Sequence, residues 1–384
     1  MTNMSSMINQ DRLVKQFIEL VQIDSESKNE QNISKHLQRL FTELGLTVEE
    51  DDSKERTGLG SGNLICTLAA TDSRPGIPTV FFTSHMDTVS PGKGIKPQIG
   101  DDGIIRSDGT TILGSDDKVG LAAMLEAIRV MRERNIPHGT LRFVITAGEE
   151  VGLKGSRAMK PGWLQADFGF ALDSNGPIGD IAVAAPGRAE ISIQFTGRKA
   201  HAGVNPEDGI SAIQVASKAV ARMPLGRIDS ETTANIGSFS GIGPLNVVCD
   251  QVKLEAEARS IVGDKLHAQI AAMKEACESA AKEFGATCEF ESNIVYAAFM
   301  FDDEAPIVQL TSKALRAVGC TPRTFHSGGG SDANVFNGLG IPTVNLAVGY
   351  KEIHTTQEHI AISDIVKIAE VVLAIVDEVT ASAK

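Results

Sequence analysis

Short runs of apolar residues alternate with helical patterns along most of the chain. The runs with the length and side chains of strands are 63–68, 79–83, 141–146, 168–172 and 343–348. Apolar residues at helical spacing predict one helical segment over about 11–44, which Gly45 ends, and further helices at 119–134, 307–318 and 360–379. Nearly continuous apolar strands separated by helices are typical of a mostly parallel sheet with helices on both faces.

The stretch between about residues 187 and 292 has a different order of elements. Its predicted strands are 189–195, 232–239, 246–258 and 286–291, and its predicted helices are 209–223 and 264–284. The resulting order, β-α-β-β-α-β, is the ferredoxin-like arrangement. Pro and Gly in the flanking segments AAPGR and FDDEAP suit domain boundaries. We therefore predict an α/β domain made of residues 1–185 and 298–384, interrupted by an inserted α+β domain of residues 186–297.

The composition is that of an ordinary globular protein and narrows the range of partners. The 384 residues are 42% apolar and 22% charged, which excludes a disordered chain. The net charge of −13 argues against binding to nucleic acid or to an anionic membrane. No apolar run reaches the roughly 20 residues of a membrane helix. The absence of a signal-peptide pattern and of paired cysteines predicts a cytoplasmic protein with reduced thiols.

Acidic residues and histidines gather next to the ends of predicted elements. They are His85 and Asp87 after the strand 79–83, Asp116 and Asp117 before the helix 119–134, Glu149 and Glu150 after 141–146, Asp173 after 168–172, and His354 after 343–348. The carboxyl ends of parallel strands share one edge of a sheet, where α/β folds bind ligands, so these groups should converge. Any single cluster of this kind is more often a turn or a helix cap than a ligand site.

Together, however, the converging carboxylates would repel one another unless a cation neutralised them. Imidazole and carboxylate ligands without cysteine suit zinc, with cobalt or manganese as substitutes. The sequence thus predicts a metal site at this edge of the sheet.

Several motifs resemble those of a known enzyme family. SHMDTV, GSDDKVG, TAGEEVGLKG, ALDS and EIHTTQEHI are similar, in order and spacing, to motifs of the di-zinc aminoacylase/peptidase T/glutamate carboxypeptidase metallopeptidases. HSGGGSDAN is similar to the peptidase T-like branch. The resemblance covers essentially the whole chain. It implies that residues 186–297 form a lid and dimerisation domain and that the protein is a homodimer.

The resemblance also implies a role for each residue at the predicted metal site. The implied ligands are His85 and Asp173 for one zinc ion, Glu150 and His354 for the other, and Asp116 as the bridge between them. Glu149 would be the general base acting on a water that bridges the two metals. Asp87 would hydrogen-bond His85 and fix its tautomer.

Further residues are implied to bind substrate. In the family, the equivalent of His201 often reaches the active site from a dimer partner and polarises the substrate carbonyl. Asn246 and Arg259 would bind the peptide, the guanidinium pairing with a carboxylate. Gly329 and Gly330 would let the backbone approach the substrate closely. The residue types alone leave open a loop histidine, a turn asparagine and a solvated arginine.

The implied activity is that of a tripeptide aminopeptidase-like enzyme, which hydrolyses the N-terminal amide bond of short peptides. An Asp at position 173 accompanies aminopeptidases and dipeptidases in the family, whereas a Glu accompanies carboxypeptidases and deacylases. The chain has GGGSD where peptidase T has a Thr before the Asp, so strict tripeptide specificity does not follow. Two alternatives stay open, namely an N-acyl-amino-acid amidohydrolase or carboxypeptidase on the same site, and an inactive peptide-binding dimer.

Overall fold

The computed structural model describes residues 7–382, which form two compact units. The first, here called the α/β domain, consists of the described residues up to Ala184, with Phe301–Ser327 and those from Ser331 onward. The second, here called the inserted domain, consists of Ala185–Met300 and Gly328–Gly330. Within the described part of the chain, no helix combines the length and the apolar character needed to cross a membrane.

The elements of both domains follow in chain order. The helices are α1 (Gln10–Val21), α2 (Gln31–Glu43), α3 (Ser53–Thr57), α4 (Ser115–Arg134), α5 (Lys154–Arg157), α6 (Ala212–Arg222), α7 (Gly263–Phe284), α8 (Pro306–Ala317), α9 (Asp332–Gly338) and α10 (Ile362–Ser382). The strands are β1 (Thr47–Glu50), β2 (Leu64–Leu68), β3 (Val80–His85), β4 (Gln98–Ile99), β5 (Ile104–Arg106), β6 (Leu141–Thr146), β7 (Phe168–Ser174), β8 (Asp180–Ala185), β9 (Gly187–Thr196), β10 (Gly226–Arg227), β11 (Thr232–Ser240), β12 (Gln251–Ser260), β13 (Thr287–Tyr296), β14 (Phe299–Met300), β15 (Arg323–His326), β16 (Thr343–Ala347) and β17 (His359–Ala361).

The central sheet of the α/β domain is parallel in its middle and has antiparallel pairs on both sides, β1–β2 and β2–β6 on one and β16–β8 on the other. Its strands lie in the order β1-β2-β6-β3-β7-β16-β8, and β6, β3, β7 and β16 all run in the same direction. Because neighbouring side chains on a strand point to opposite faces, Phe82 packs in the large core with α1, α4 and α10, whereas Phe81 packs against Phe336 of α9. Helices on both faces explain the continuous apolar strands, and the predicted fold class is confirmed.

The parallel strands bring the polar segments of the sequence together. The adjacent strands β6, β3 and β7 have their carboxyl ends at the same edge of the sheet. Strand β3 ends at His85, β6 ends two residues before Gly148, and Asp173 lies at the end of β7. The parallel register therefore carries these positions to one edge, as expected for an α/β ligand site.

The inserted domain is an antiparallel sheet with two helices on one face. The strand order β10-β11-β12-β9-β13 joins the elements in the predicted ferredoxin-like succession. Helices α6 and α7 pack on buried side chains such as Ile191, Ile193 and Leu254. Because only one face of β12 is covered, buried Val252 and Leu254 alternate with exposed Lys253 and Glu255.

Two local predictions were wrong. The helical pattern over 11–44 is two helices, because α1 ends at Val21 and α2 begins at Gln31. The polar residues between them make tertiary contacts instead: Ser27 donates to Thr88 through its backbone N–H and to Asp87 through its hydroxyl. The strand predicted over 246–258 begins only at Gln251, so Asn246 lies in the preceding loop.

Candidate metal centre

Asp116 lies between two histidines in the α/β domain. Its Oδ1 is 3.0 Å from Nε2 of His85, and its Oδ2 is 3.2 Å from Nε2 of His354. The Asp116 side chain is almost fully buried, as is that of His85. Each oxygen of one carboxylate therefore faces a different imidazole, which is the arrangement that a bridging ligand requires.

The other two implied ligands complete a set on each side of Asp116. Asp173 Oδ1 is 3.8 Å from Nε2 of His85, and Glu150 Oε1 is 3.1 Å from Nε2 of His354. Donor atoms of His85, Asp116 and Glu150 all lie within 4.8 Å of one another. The structure thus brings together the five residues that the sequence analysis named as ligands.

The close approach of carboxylates and imidazoles in this cluster raises the pKa values of several of its groups. Burial disfavours the imidazolium of His85, but hydrogen bonds with Asp116 and Asp87 and the charge of Asp173 outweigh it, so its pKa lies well above the ordinary value. Hydrogen bonds with Asp116 and Glu150 raise the pKa of His354 to about 10. Burial raises the pKa of the Asp173 carboxyl well above its usual range.

Without metal, His85, His354 and Asp173 therefore tend to keep their protons. A divalent cation bound between these groups can replace those protons. The residues present fit a pair of such cations, because the imidazole nitrogens and the carboxylate oxygens point toward shared positions.

Asp117 is a candidate ligand that the sequence analysis did not assign. One donor atom each from His85, Asp117 and Asp173 lie within 4.8 Å of one another. Both carboxylate oxygens of Asp117 are buried and have no hydrogen-bond partner among the described residues. Burial raises the pKa of this carboxyl well above its usual range. The only sequence signal was its place directly after Asp116.

Asp87 holds the segment that carries the two glutamates. Its carboxylate accepts hydrogen bonds from the backbone N–H of Glu149 at 3.0 Å and of Glu150 at 3.3 Å, and from the Ser27 hydroxyl at 2.7 Å. His85 Nδ1 is 3.0 Å from the backbone carbonyl oxygen of Asp87 and 3.6 Å from its carboxylate. The backbone carbonyl is therefore the nearer group that orients the imidazole, while the carboxylate orients Glu149 and Glu150.

The two neighbouring glutamates have different surroundings. Both carboxylate oxygens of Glu150 lie 3.1 Å from Nε2 of His354. No described group donates a hydrogen bond to the carboxylate of Glu149. Burial and the negative charge of Asp173 raise the pKa of Glu149 well above its usual range. The Glu149 carboxylate is thus available to accept and release a proton. This favours Glu149 as the base and Glu150 as the metal ligand.

Residues distant in sequence fix Asp173 and the glutamate segment. The Tyr350 hydroxyl donates to Asp173 Oδ1 at 3.0 Å. The Asn345 side chain accepts from the Asp173 backbone N–H at 3.0 Å and donates to the Asp173 carbonyl oxygen at 2.7 Å. Buried Asp332 accepts from the hydroxyls of Thr146 and Ser156, which lie on either side of the glutamates. None of these contacts was predicted.

In the inserted domain, His201 and Asn246 lie close together. His201 is exposed, and its Nδ1 accepts hydrogen bonds from the backbone N–H of Gly203 at 3.2 Å and of Val204 at 3.1 Å. In the neutral ring these contacts assign the proton to Nε2. The backbone carbonyl of Asn246 accepts from the N–H of Ala202 at 2.9 Å, and the Asn246 side chain is exposed.

The remaining implied substrate residues have partners of their own. The Arg259 guanidinium is bidentate with Glu257, at 2.9 and 3.1 Å. A Cβ atom on Gly330 would lie 2.4 Å from the Tyr296 ring, whereas one on Gly329 would meet nothing within 4 Å. The close approach at Gly330 is therefore explained by the tyrosine of the same domain.

The fold and this cluster define a metal-dependent hydrolase of the α/β type with an inserted ferredoxin-like domain. Residues 81–378 match the model of peptidase family M20/M25/M40, and the chain belongs to this family. The resemblance stated from the motifs is thereby confirmed, and so is the prediction of a hydrolase of a peptidase family.

Close relatives cover nearly the full length of the chain. Uncharacterized protein YqjE of Bacillus subtilis strain 168 is 53% identical over 372 residues, which are 97% of this chain and 99% of that protein. The crystal structure of aminopeptidase PepT from Bacillus cereus is 57% identical with a TM-score of 0.92, covering 97% of this chain and 99% of that one. A tripeptidase structure from Staphylococcus aureus is 45% identical with a TM-score of 0.93, and the match covers 98% of this chain and 100% of that one.

Proposed function

We propose that this chain is a metal-dependent aminopeptidase that removes the N-terminal residue of short peptides. The observation that carries the proposal is the placement of Asp116 between His85 and His354, with the unpartnered carboxylate of Glu149 in the same cluster. The similar structures named as an aminopeptidase and a tripeptidase support peptide substrates and the direction of cleavage.

The donor set supports two zinc ions, with cobalt or manganese as substitutes, because it combines imidazole nitrogens with carboxylate oxygens and lacks cysteine. His85, Asp173 and Asp116 would hold one ion, and Asp116, Glu150 and His354 the other. When bound, the ions supply Lewis acidity that polarises the scissile carbonyl and makes the attacking water more acidic.

Glu149 is the proposed general base. It accepts a proton from the attacking water as the water oxygen bonds to the carbonyl carbon, and it returns that proton to the leaving nitrogen as the C–N bond breaks. Asp87 supports this role because it holds the Glu149 backbone N–H. His201, with its proton on Nε2, is the proposed donor to the substrate carbonyl oxygen.

Selection of a free N-terminal amine rests on Asp173 in this proposal. Tyr350 and Asn345 fix both its carboxylate and its backbone. A glutamate at the same backbone position would extend one methylene further into the cluster, so the shorter side chain leaves room for an amine. This supports an aminopeptidase over the carboxypeptidase alternative.

Product analysis tests the direction of cleavage. Zinc-loaded protein is incubated with one tripeptide in free and N-acetylated form, and the products are identified by mass spectrometry. We expect loss of the first residue from the free peptide only, and no cleavage after chelation until zinc is restored. Cleavage of the acetylated peptide would instead establish the amidohydrolase or carboxypeptidase alternative. Binding of peptide and metal without any cleavage would establish the inactive binder.

We further propose that the protein is a homodimer formed through the inserted domain. Ile242 and Leu245 are 91% and 102% exposed in one short segment of this domain, and exposed apolar side chains of this kind mark interaction surfaces. Light scattering coupled to gel filtration should give twice the chain mass for the wild type and a single chain mass for the Ile242→Asp/Leu245→Asp variant. Ile99→Asp, at an exposed position of the α/β domain, is the control that should stay dimeric. A monomeric wild type would refute the proposal.

A further inference from the structure

A buried carboxylate outside the ligand set binds the backbone that leads into Asp116. Glu358 is 1% exposed. Its Oε2 accepts hydrogen bonds from the backbone N–H of Leu113 and of Gly114, each at 2.8 Å. Its Oε1 accepts from the Ser115 hydroxyl at 2.6 Å and from the backbone N–H of Asp116 at 3.0 Å. Each carboxylate oxygen of Glu358 therefore accepts two hydrogen bonds, and all four donors belong to residues 113–116.

The segment needs such an acceptor because its own backbone cannot supply one. It leads into α4, which begins at Ser115, and the first N–H groups of a helix have no carbonyl one turn earlier. Gly114 is in the left-handed region with φ 75°, and Asp116 has the non-helical angles φ −82° and ψ 102°. Buried N–H groups without a partner are costly, so this conformation depends on an external acceptor.

Glu358 also connects the two sides of the ligand cluster. It follows His354 by one short turn, in which the Glu358 backbone N–H donates to the Thr355 carbonyl oxygen at 3.2 Å. His354 Nε2 in turn lies 3.2 Å from Asp116 Oδ2. One segment therefore carries both an imidazole that faces Asp116 and the carboxylate that fixes the Asp116 backbone.

We propose that Glu358 is the positioning residue of Asp116: it holds residues 113–116 so that the two carboxylate oxygens of Asp116 stay directed at the His85 and His354 sides of the centre. The inference rests on the proposed role of Asp116 as the ligand shared by two metal ions. Glu358 itself touches neither substrate nor metal in this assignment.

A carboxylate is required at this position because all three backbone partners are donors. Glutamine has the same shape but one acceptor oxygen. If that oxygen faces Leu113 and Gly114, the amide group can donate to the Ser115 hydroxyl, but the N–H of Asp116 loses its acceptor. If it faces the opposite way, the amide N–H groups meet two backbone N–H groups. The first orientation costs less, so Glu358→Gln should disturb Asp116 most directly.

Zinc binding by the full-length protein tests the inference without relying on activity. Metal-free protein is titrated with zinc against a chromophoric chelator, and melting temperatures are recorded with and without zinc. Loss of groups that orient metal ligands typically weakens metal binding by about 10–100-fold, and we expect a weakening of this size for Glu358→Gln. Ser115→Ala, which removes one of the four hydrogen bonds, should weaken zinc binding in the same direction by a smaller factor.

Glu126→Gln is the matched control. Glu126 is a fully buried carboxylate of α4 that accepts hydrogen bonds from Arg12 and from the Asn9 backbone N–H. This variant should melt at a lower temperature but bind zinc like the wild type.

Wild-type zinc affinity in Glu358→Gln would overturn the inference. If that variant does not fold, unchanged zinc affinity in Ser115→Ala would overturn it. A wild type that binds no zinc would instead refute the proposed metal centre, so the two failures are distinguishable.

Discussion

Replacing Glu149 with glutamine should lower peptide turnover by about 10²–10⁴-fold, the usual contribution of a general base, while the protein still binds two zinc ions. The amide has nearly the same shape but cannot accept the proton of the attacking water. The carboxylate of Glu149 receives no hydrogen bond from any described group, so the substitution breaks no ligand contact. Its backbone contact with Asp87 is retained.

Steady-state kinetics together with metal analysis of the same samples would check this result. Glu149→Asp keeps a carboxylate and serves as the control, with partial activity expected. Unchanged turnover in Glu149→Gln would refute the mechanism. Loss of zinc from this variant would show that Glu149 is a ligand rather than the base.

Asp116→Ala should remove most of the zinc and, with it, nearly all activity. Asp116 is the only side chain in the proposed assignment that serves both ions, and its two oxygens lie 3.0 and 3.2 Å from the two imidazoles. Loss of the several kcal/mol of transition-state stabilisation that metal ions supply corresponds to about 10³-fold or more in rate. The variant also leaves His85 and His354 without the carboxylate between them.

Metal content by inductively coupled plasma mass spectrometry, measured beside turnover, would test this expectation. Asp102→Ala is a suitable control, because Asp102 is exposed and pairs with Arg106 on the surface. Two zinc ions bound to Asp116→Ala with wild-type affinity would contradict the bridging role. In that case Asp117, whose carboxylate is buried close to His85, would be the first residue to examine.

The helices and strands that carry the candidate site could be predicted from local patterns. Strand β6 has the bounds expected from its apolar run, and β3 and β7 each continue two residues beyond the end of theirs. These strands are largely buried on both faces, so most of their side chains are apolar, and the polar residues His85 and Asp173 come at or next to the last residue of their strands. That is why His85 and Asp173 could be named from the sequence.

Local patterns failed where a segment takes its conformation from distant partners. The turn between α1 and α2 has polar residues that bind Thr88 and Asp87, and Ser27 and Asp87 are 60 residues apart in the sequence. The strand predicted over 246–258 was too long at its start for a similar reason. The backbone carbonyl of Asn246 accepts a hydrogen bond from Ala202 and not from a neighbouring strand.

The sequence by itself determined the order of the elements, the family and the residues that converge at the edge of the sheet, because these depend on side-chain type and spacing. Only the tertiary structure decided which groups orient them. Glu358 lies 245 residues from Leu113, Asp332 lies 186 from Thr146, and Asn345 lies 172 from Asp173. A hydrogen bond depends on distances of about 3 Å in space. Such distances are set by how the strands and helices pack, and no local pattern in the chain records them.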